Sequence, residues 1–595
     1  MTAWRMLYGA MPLREGGVQF RVWAPNVRAL AVNVAGTVFP MSRHGEDFHV
    51  LVPQAQSGQT YSLVPDDSKE RLDPVSRSQP QGVHGPSEIV DPDAFQWTDQ
   101  NWHGLDLEKF LIYELHTGTF TPEGTFEGII AKIPYLKELG ITAIELMPVA
   151  EFPGRRNWGY DGVDLFAPQS SYGGPEGFKK LVNACHSAGL AVVLDVVYNH
   201  VGPEGNYLAE FGPYFTNQYR TPWGQAVNFD GPGSDGVRRF FIDNALYWLT
   251  EYHIDALRLD AIHGIYDFGA KHFLAELAEG FHQQAARLGR QACLIAESDL
   301  NDVRVIQPRS AGGYGLDAQW NDEFHHALTS YLTKAKRGFL GAFGRLTDVQ
   351  KALTDGFVYD GIYSDYRRRR FGSSSKDLPG RRFVVFVQNH DQIANTNQGK
   401  RLSQLVSLDQ FKVAATVLLC SPYVPLLFMG EEFADTAPFL YFTSYLDTSL
   451  AKLVTEGRRR EHAEFEVSAE FFDPQAQGTF EKSRITWPLL EDASHAEILS
   501  FYRQVIALRK TWPCLSNCRK DLTRVELDEG KELLRMERGD PEGTRALLVC
   551  NFSFQASSID APRANWQVAL QTNSSDYGMI AGHSAILYLA AEKHE

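Results

Sequence analysis

Hydrophobic and polar positions divide the chain into three stretches with different periods. Over the first hundred residues, short runs alternate apolar and polar side chains, as in VQFRVWA (Val18–Ala24) and LAVNV (Leu30–Val34). A period of two marks half-buried strands. Turn signals recur about every ten residues, the rhythm of a small β-sandwich. RLDPVSRSQPQGVHGPS (Arg71–Ser87) interrupts that rhythm. Its Pro and Gly density predicts a linker on an ordered but irregular path.

From about residue 108, apolar strand-length runs alternate with amphipathic segments such as FEGIIAKIPYLKELG and PEGFKKLVNACHSAGL. The runs are Phe110–His116, Ile141–Val149, Leu190–His200, Ile254–His263, Ala292–Ser298, Leu316–Trp320, Arg382–Asp391 and Tyr423–Glu432. Eight strand–helix units predict a (β/α)8 TIM barrel. The rival, a doubly wound sheet, usually carries a glycine-rich loop after its first strand; here His116-Thr-Gly-Thr follows. Extra length after strand three (Val201–Asp235) and between strands six and seven (Asn321–Gly380) places long loops where barrels build sites. Beyond about residue 515 the chain returns to short strands, as in ELLRMER and AILYLA. The expected architecture is α/β. It has an N-terminal Ig-like β-sandwich with linker over residues 1–100, a barrel over 101–514 and a C-terminal β-sandwich domain over 515–595.

Composition changes this picture little. The 595 residues carry a net charge of −16, which argues against nucleic acid or an anionic membrane as main partner. Two basic runs, Arg367–Arg370 and Arg458–Arg460, read as solvated faces in so acidic a chain. The longest apolar stretch, Val413–Met429, is broken by Ser421, Pro422 and Pro425, so it reads as a buried helix and a buried strand. Six cysteines without a CxxC pair exclude a zinc ribbon and fit reduced thiols in a reducing cytosol. With no apolar leader segment near the start, the expected location is cytoplasmic. Oligomeric state is not legible.

The carboxylates carry the chemistry. Asp195, Asp260 and Glu297 end strands three, four and five, and Asp391 follows strand seven. Strand ends on one side of a barrel converge on one mouth. An acid ending an apolar strand is costly unless paired or used. A single one reads equally well as a structural ion pair. Four together, beside His200, His263 and His390, point to catalysis.

DVVYNH (Asp195–His200), LRLDAIH (Leu257–His263), AES (Ala296–Ser298) and QNHD (Gln388–Asp391) resemble, in order, the four signature regions of the α-amylase superfamily. The resemblance implies retaining hydrolysis of an α-glucosidic bond. Asp260 is then the nucleophile, Glu297 the acid and later the base, and Asp391 the acid that grips sugar hydroxyls. Arg258, on the same strand face as Asp260, would hold the nucleophile ionised and counts among the substrate-binding residues. His200 and His390 would bond sugar hydroxyls, and Tyr160 would offer a ring face. Asp195 and Asn199 more readily hold the site together. His116 and His263 stay outside the first rank. Neither a metal nor an organic cofactor is implied.

Longer segments narrow the resemblance. They are Arg71–Ser87, Arg155–Val182, Asn199–Tyr207, Phe211–Thr216, Ala296–Asp302 and Asp317–His326. Together they are similar to the maltooligosyltrehalose trehalohydrolase family. That implies cleavage of the α-1,4 bond beside a terminal trehalose unit, with maltooligosyltrehalose and malto-oligosaccharides as the molecules bound. Trp320, Asp322, Glu323 and Phe324, after strand six, become candidates for the leaving-group side; Trp320 and Phe324 could equally pack beneath the loop. The family pattern has an Arg near Thr396 and a Glu near Lys400, both absent here. Branching and α-1,6-debranching enzymes share the sandwich and barrel and remain the alternative. A glucan-binding protein with an inactive barrel is the non-enzymatic one.

Overall fold

The computed structural model describes residues 4–66, 68–336, 338–395, 397–465, 471–560, 565–576 and 578–591. Thr396 lies outside them. All eight expected barrel strands form: β1 (Ile112–Leu115), β2 (Ala143–Leu146), β3 (Ala191–Val196), β4 (Ala256–Leu259), β5 (Cys293–Ala296), β6 (Ala318–Trp320), β7 (Phe383–Val385) and β8 (Val424–Phe428). They pair in parallel in chain order, and β8 closes on β1.

Strand parity sorts the side chains. Ile112, Ala143, Ala191, Val193, Ala256, Ile295, Ala318, Trp320, Val384, Val424 and Leu426 pack as one cluster inside the barrel. Their alternates, among them Tyr113, Ile144, Val192, Leu257, Leu294 and Val385, join the larger core between strands and outer helices. Small residues at the inward positions of β2, β3, β4 and β6 leave room for large ones such as Trp320. Continuing the inward parity by two from Ala143, Val193, Ala256 and Ile295 reaches Glu145, Asp195, Arg258 and Glu297. One strand pattern therefore builds an apolar interior below and a charged layer above.

The N-terminal stretch forms two four-stranded antiparallel sheets. The segment expected to be a linker is instead a packed seam: Asp73 to Gln79 is buried throughout. Arg77 in it binds Glu251 at 2.8 Å, and Asp73 accepts from Tyr61 Oη at 2.8 Å. At the other end, a five-stranded antiparallel sheet holds Thr523–Asp528, Leu533–Gly539, Thr544–Asn551, Ser584–Ala591 and Gln567–Gln571 in that order. It is fastened to the barrel by Arg538, which donates to the carbonyls of Cys420, Ser421 and Leu515. Arg509 donates to those of Leu419, Ser421 and Tyr423. The two guanidiniums thus satisfy carbonyls left open at the end of the helix Leu408–Cys420. Among the described residues no helix is long and apolar enough to cross a membrane.

Candidate active site

The charged layer is organised by one side chain. Arg258, in β4, is fully buried and lies over the Trp320 ring at 4.2 Å. Its Nη1 donates to Asp195 Oδ2 at 2.7 Å and to Asp260 Oδ1 at 3.0 Å. Its Nη2 lies 3.6 Å from Glu297 Oε2. Carboxylates from three adjacent strands thus meet on one guanidinium, whose rigid fork suits that geometry.

The backbone places the acid pair. Asp260 follows β4, and its N–H donates to Val196 O at 3.0 Å. Ala261 then turns left-handed, with φ 37° and ψ 50°. That conformation costs an alanine about 1 kcal/mol or more. Here it delivers the Ala261 N–H to Glu297 Oε2. The strained turn therefore fixes both members of the pair.

Exposure grades across the three acids. The Asp260 and Glu297 side chains are 12% and 14% exposed, and that of Asp391 is 46% exposed. The first two are recessed in the mouth, while Asp391 overhangs it from the short helix His390–Ala394. Asn395 Nδ2 steadies Asp391 Oδ1 at 3.3 Å, and Arg458 in turn donates to Asn395 at 3.0 Å. Burial pushes the Asp260 carboxyl well above its ordinary range; Arg258 opposes this, and Glu297, Asp195 and Asp391 reinforce it. Of these groups, Arg258 alone favours the ionised form of Asp260. Such close carboxylates titrate as a set that shares protons.

The other expected residues fall into two groups. Tyr160, His200 and Asp322 reach the mouth; His390, expected to bond sugar hydroxyls, is 1% exposed and has both ring nitrogens taken by Glu114 and Tyr160. Tyr160 Oη donates to Asp195 Oδ2 at 2.6 Å, and its ring stacks on His390 with centroids 5.3 Å apart. One of its faces is therefore already covered. His200 Nε2 donates to the Tyr160 carbonyl at 2.9 Å, while Nδ1, itself buried, has no partner among the described residues. Burial pushes its pKa down, which leaves Nδ1 an unprotonated acceptor. Its ring stacks on Trp223 at 5.0 Å. Asp322 accepts from Gln392 Nε2 at 3.0 Å; burial, then the charges of Glu297 and Asp391, push its carboxyl well up.

Three expectations need correction. Trp320, a candidate for the leaving-group side, takes the other placement open to it: it ends β6, is 1% exposed and is covered by Arg258, so it cannot touch a ligand. Glu323 is buried, with its carboxylate taken by the N–H groups of Val358 and Tyr359, and Phe324 packs in the core. Arg258 holds carboxylates from below and has no exposed atom with which to bind substrate. His116 is likewise a core imidazole, bonded to Thr119 and to the Asn157 carbonyl.

Two acids escaped the sequence reading. Glu114 (β1) and Glu145 (β2) sit opposite each other in register, both buried. Glu114 accepts from His390 Nδ1 at 2.5 Å. Glu145 has no hydrogen-bond partner among the described residues, and burial, reinforced by Glu114, drives it toward the neutral form. The available signal was a Glu at an inward position of an otherwise apolar strand.

The profile of the alpha amylase catalytic domain matches residues 89–223. A malto-oligosyltrehalose trehalohydrolase of Saccharolobus solfataricus is 45% identical over 95% of this chain and 95% of its own length. The chain belongs to the malto-oligosyltrehalose trehalohydrolase family. A second family member, from Arthrobacter ramosus, is 42% identical over 89% of this chain and 92% of its own. A solved chain from Salmonella typhimurium superposes with TM-score 0.91 at 38% identity, covering 99% of this chain and 100% of that one. A pullulanase from Anoxybacillus, solved with maltotetraose, shares the fold at TM-score 0.74 and 19% identity, covering 99% of this chain and 88% of its own. A glucan branching enzyme of Pseudoalteromonas atlantica lies further from the family, at 26% identity over 97% of this chain and 78% of its own.

Proposed function

We propose that the chain hydrolyses the α-1,4-glucosidic bond next to the terminal trehalose unit of maltooligosyltrehalose, with retention at the anomeric carbon. The products are trehalose and a shortened malto-oligosaccharide. The observation that carries the chemistry is the meeting of Asp260 and Glu297 on the single Arg258 guanidinium at the barrel mouth.

In the first step, Glu297 gives its proton to the glycosidic oxygen. Asp260 attacks the anomeric carbon, the bond to oxygen breaks and trehalose departs. The malto-oligosyl chain is then esterified to Asp260. In the second step, Glu297, now a carboxylate, takes a proton from water as that water's oxygen attacks the same carbon. The ester breaks, and both acids return to their starting states. Arg258 offsets the charge on Asp260 whenever that carboxylate is free. In this reading Asp391, the most exposed of the three, grips sugar hydroxyls, and His200 bonds one. Asp322, at the start of the helix Asp322–Thr333, is the candidate in this reading for the leaving-group side.

Incubation with maltotriosyltrehalose and with maltopentaose tests this. Free trehalose from the first and little cleavage of the second is expected. Equal attack on both indicates a general amylase, and new α-1,6 branches in amylose indicate a branching enzyme.

A further inference from the structure

Glu114 has no part in these steps, yet it is buried in β1 within the charged layer. It accepts from His390 twice, from Nδ1 at 2.5 Å and from the backbone N–H at 3.3 Å. The other imidazole nitrogen, Nε2, lies 2.9 Å from Tyr160 Oη. Tyr160 Oη lies 2.6 Å from Asp195 Oδ2, which accepts from Arg258 at 2.7 Å. Arg258 then reaches Asp260 and Glu297. Glu114, His390, Tyr160, Asp195 and Arg258 come from five separate elements and form one hydrogen-bonded chain across the barrel.

The direction of each bond in this chain is constrained. A tyrosine hydroxyl has one proton to give. Asp195 is the closer acceptor and faces Arg258, so it takes that proton. His390 Nε2 must then donate to Tyr160 Oη. Nδ1 must donate as well, because the Glu114 carboxylate only accepts. An imidazole that donates from both nitrogens is an imidazolium.

We infer that Glu114 is a positioning residue: as the counter-charge of a protonated His390, it fixes the direction of every hydrogen bond from β1 to Arg258, and through Arg258 the placement of the catalytic pair. This rests on the reading of Asp260 and Glu297 given above.

The surroundings of His390 agree with a standing positive charge. Burial and Arg258 work against it; Asp391 and Glu114 work for it and prevail, raising the imidazole to about 9. Asp195 also lies within range of that charge, and Tyr160 accepts from it. His116 is held low, at about 4, by burial, with a further contribution from His390. The remaining neighbours are the rings of Trp158, edge-on at 5.4 Å, and Trp320 at 6.0 Å. The opposing arrangement is a neutral His390 with the proton on Asp195.

Nitrogen NMR of the histidine-labelled full chain separates the two without substrate, with His390 assigned through His390→Gln. At about pH 8, above the ordinary imidazole range, both ring nitrogens of His390 should carry protons. A single protonated nitrogen at that pH overturns the proposal while leaving the hydrolase reading intact. In Glu114→Gln the double protonation should be lost at the same pH. In that variant kcat should fall with KM little changed, and Glu114→Asp, which keeps the charge, should restore it. Double protonation retained in Glu114→Gln overturns the proposal. If that variant fails to fold, the spectrum of the unaltered chain decides alone.

Discussion

Two buried networks of Asp, His and Arg lie at opposite ends of the barrel, and only one of the two opens to solvent. At the mouth, Glu114, His390, Tyr160, Asp195 and Arg258 lead to Asp260, Glu297 and Asp391. At the opposite end, His186 is held between Asp99 at 2.8 Å and Asp255 at 2.9 Å. His253 and Arg290 also bind Asp99, at 2.8 and 3.1 Å, and Trp102 donates to Asp255 at 2.7 Å. The residue types match; the closure does not. Both nitrogens of His186 are taken, and its side chain and those of Asp99 and Asp255 are sealed from solvent. At the mouth, Asp391 is half open, Asp260 and Glu297 are partly open, and His200 Nδ1 has no partner among the described residues. Perturbed titration alone therefore does not mark function. Burial raises Asp99, but His186, His253 and Arg290 outweigh it and hold the carboxyl below its usual range, in a purely structural setting.

The largest expected contrast comes from the acids themselves. Glu297→Gln should cut turnover by about a thousandfold or more, as should Asp260→Asn, with the thermal midpoint little changed. Retained turnover in Glu297→Gln would falsify its role as the proton donor.

The two arginines sharpen the comparison next. Arg258→Met leaves buried carboxylates without their counter-charge and should cost about 3–5 kcal/mol of stability together with turnover. Arg290→Met, at the sealed end, should lower stability in the same direction, while kcat per folded molecule holds. Chemical denaturation paired with active-site titration checks both. A folded but inactive Arg290 variant would erase the distinction.

The dependence on pH is smaller. His390 is raised from 6.5 to about 9 in the folded chain. Its contribution is fully present below the unfolded value of 6.5 and is lost as pH rises through about 9. Urea midpoints at neutral and alkaline pH should converge in the parent and His390→Gln as pH rises. Parallel curves would assign the alkaline loss elsewhere, for instance to His186, where the bonds to Asp255 and Asp99 overcome burial and raise the imidazole in the same sense.

The smallest effect belongs to neither network. Phe268 is 79% exposed on the loop beyond Asp260. Phe268→Ser should shift stability by no more than about 0.5 kcal/mol in a thermal melt.

Some of this was legible in residue order and some was not. All eight strands follow from apolar runs bounded by turns, because a strand's burial is written into its own residues. Asp260, Glu297 and Asp391 were legible because barrel topology sends strand ends to one mouth. The run Leu316–Trp320 marks the end of strand six correctly but does not reveal that Arg258 lies over its last side chain. Glu114 and the sealed network went unread for another reason. Glu114 meets His390 across 276 positions, and Asp99 meets His186 across 87. No local pattern encodes such a pairing.

The sequence by itself determined the barrel, its strand-end acids and the strand-rich segments around it, since periodicity and strand parity are local properties that burial enforces. Only the tertiary structure decided which buried acids share a guanidinium, which imidazole carries charge, and which of two similar networks stays open to a sugar. Those properties depend on desolvation and on distances between side chains far apart in the chain.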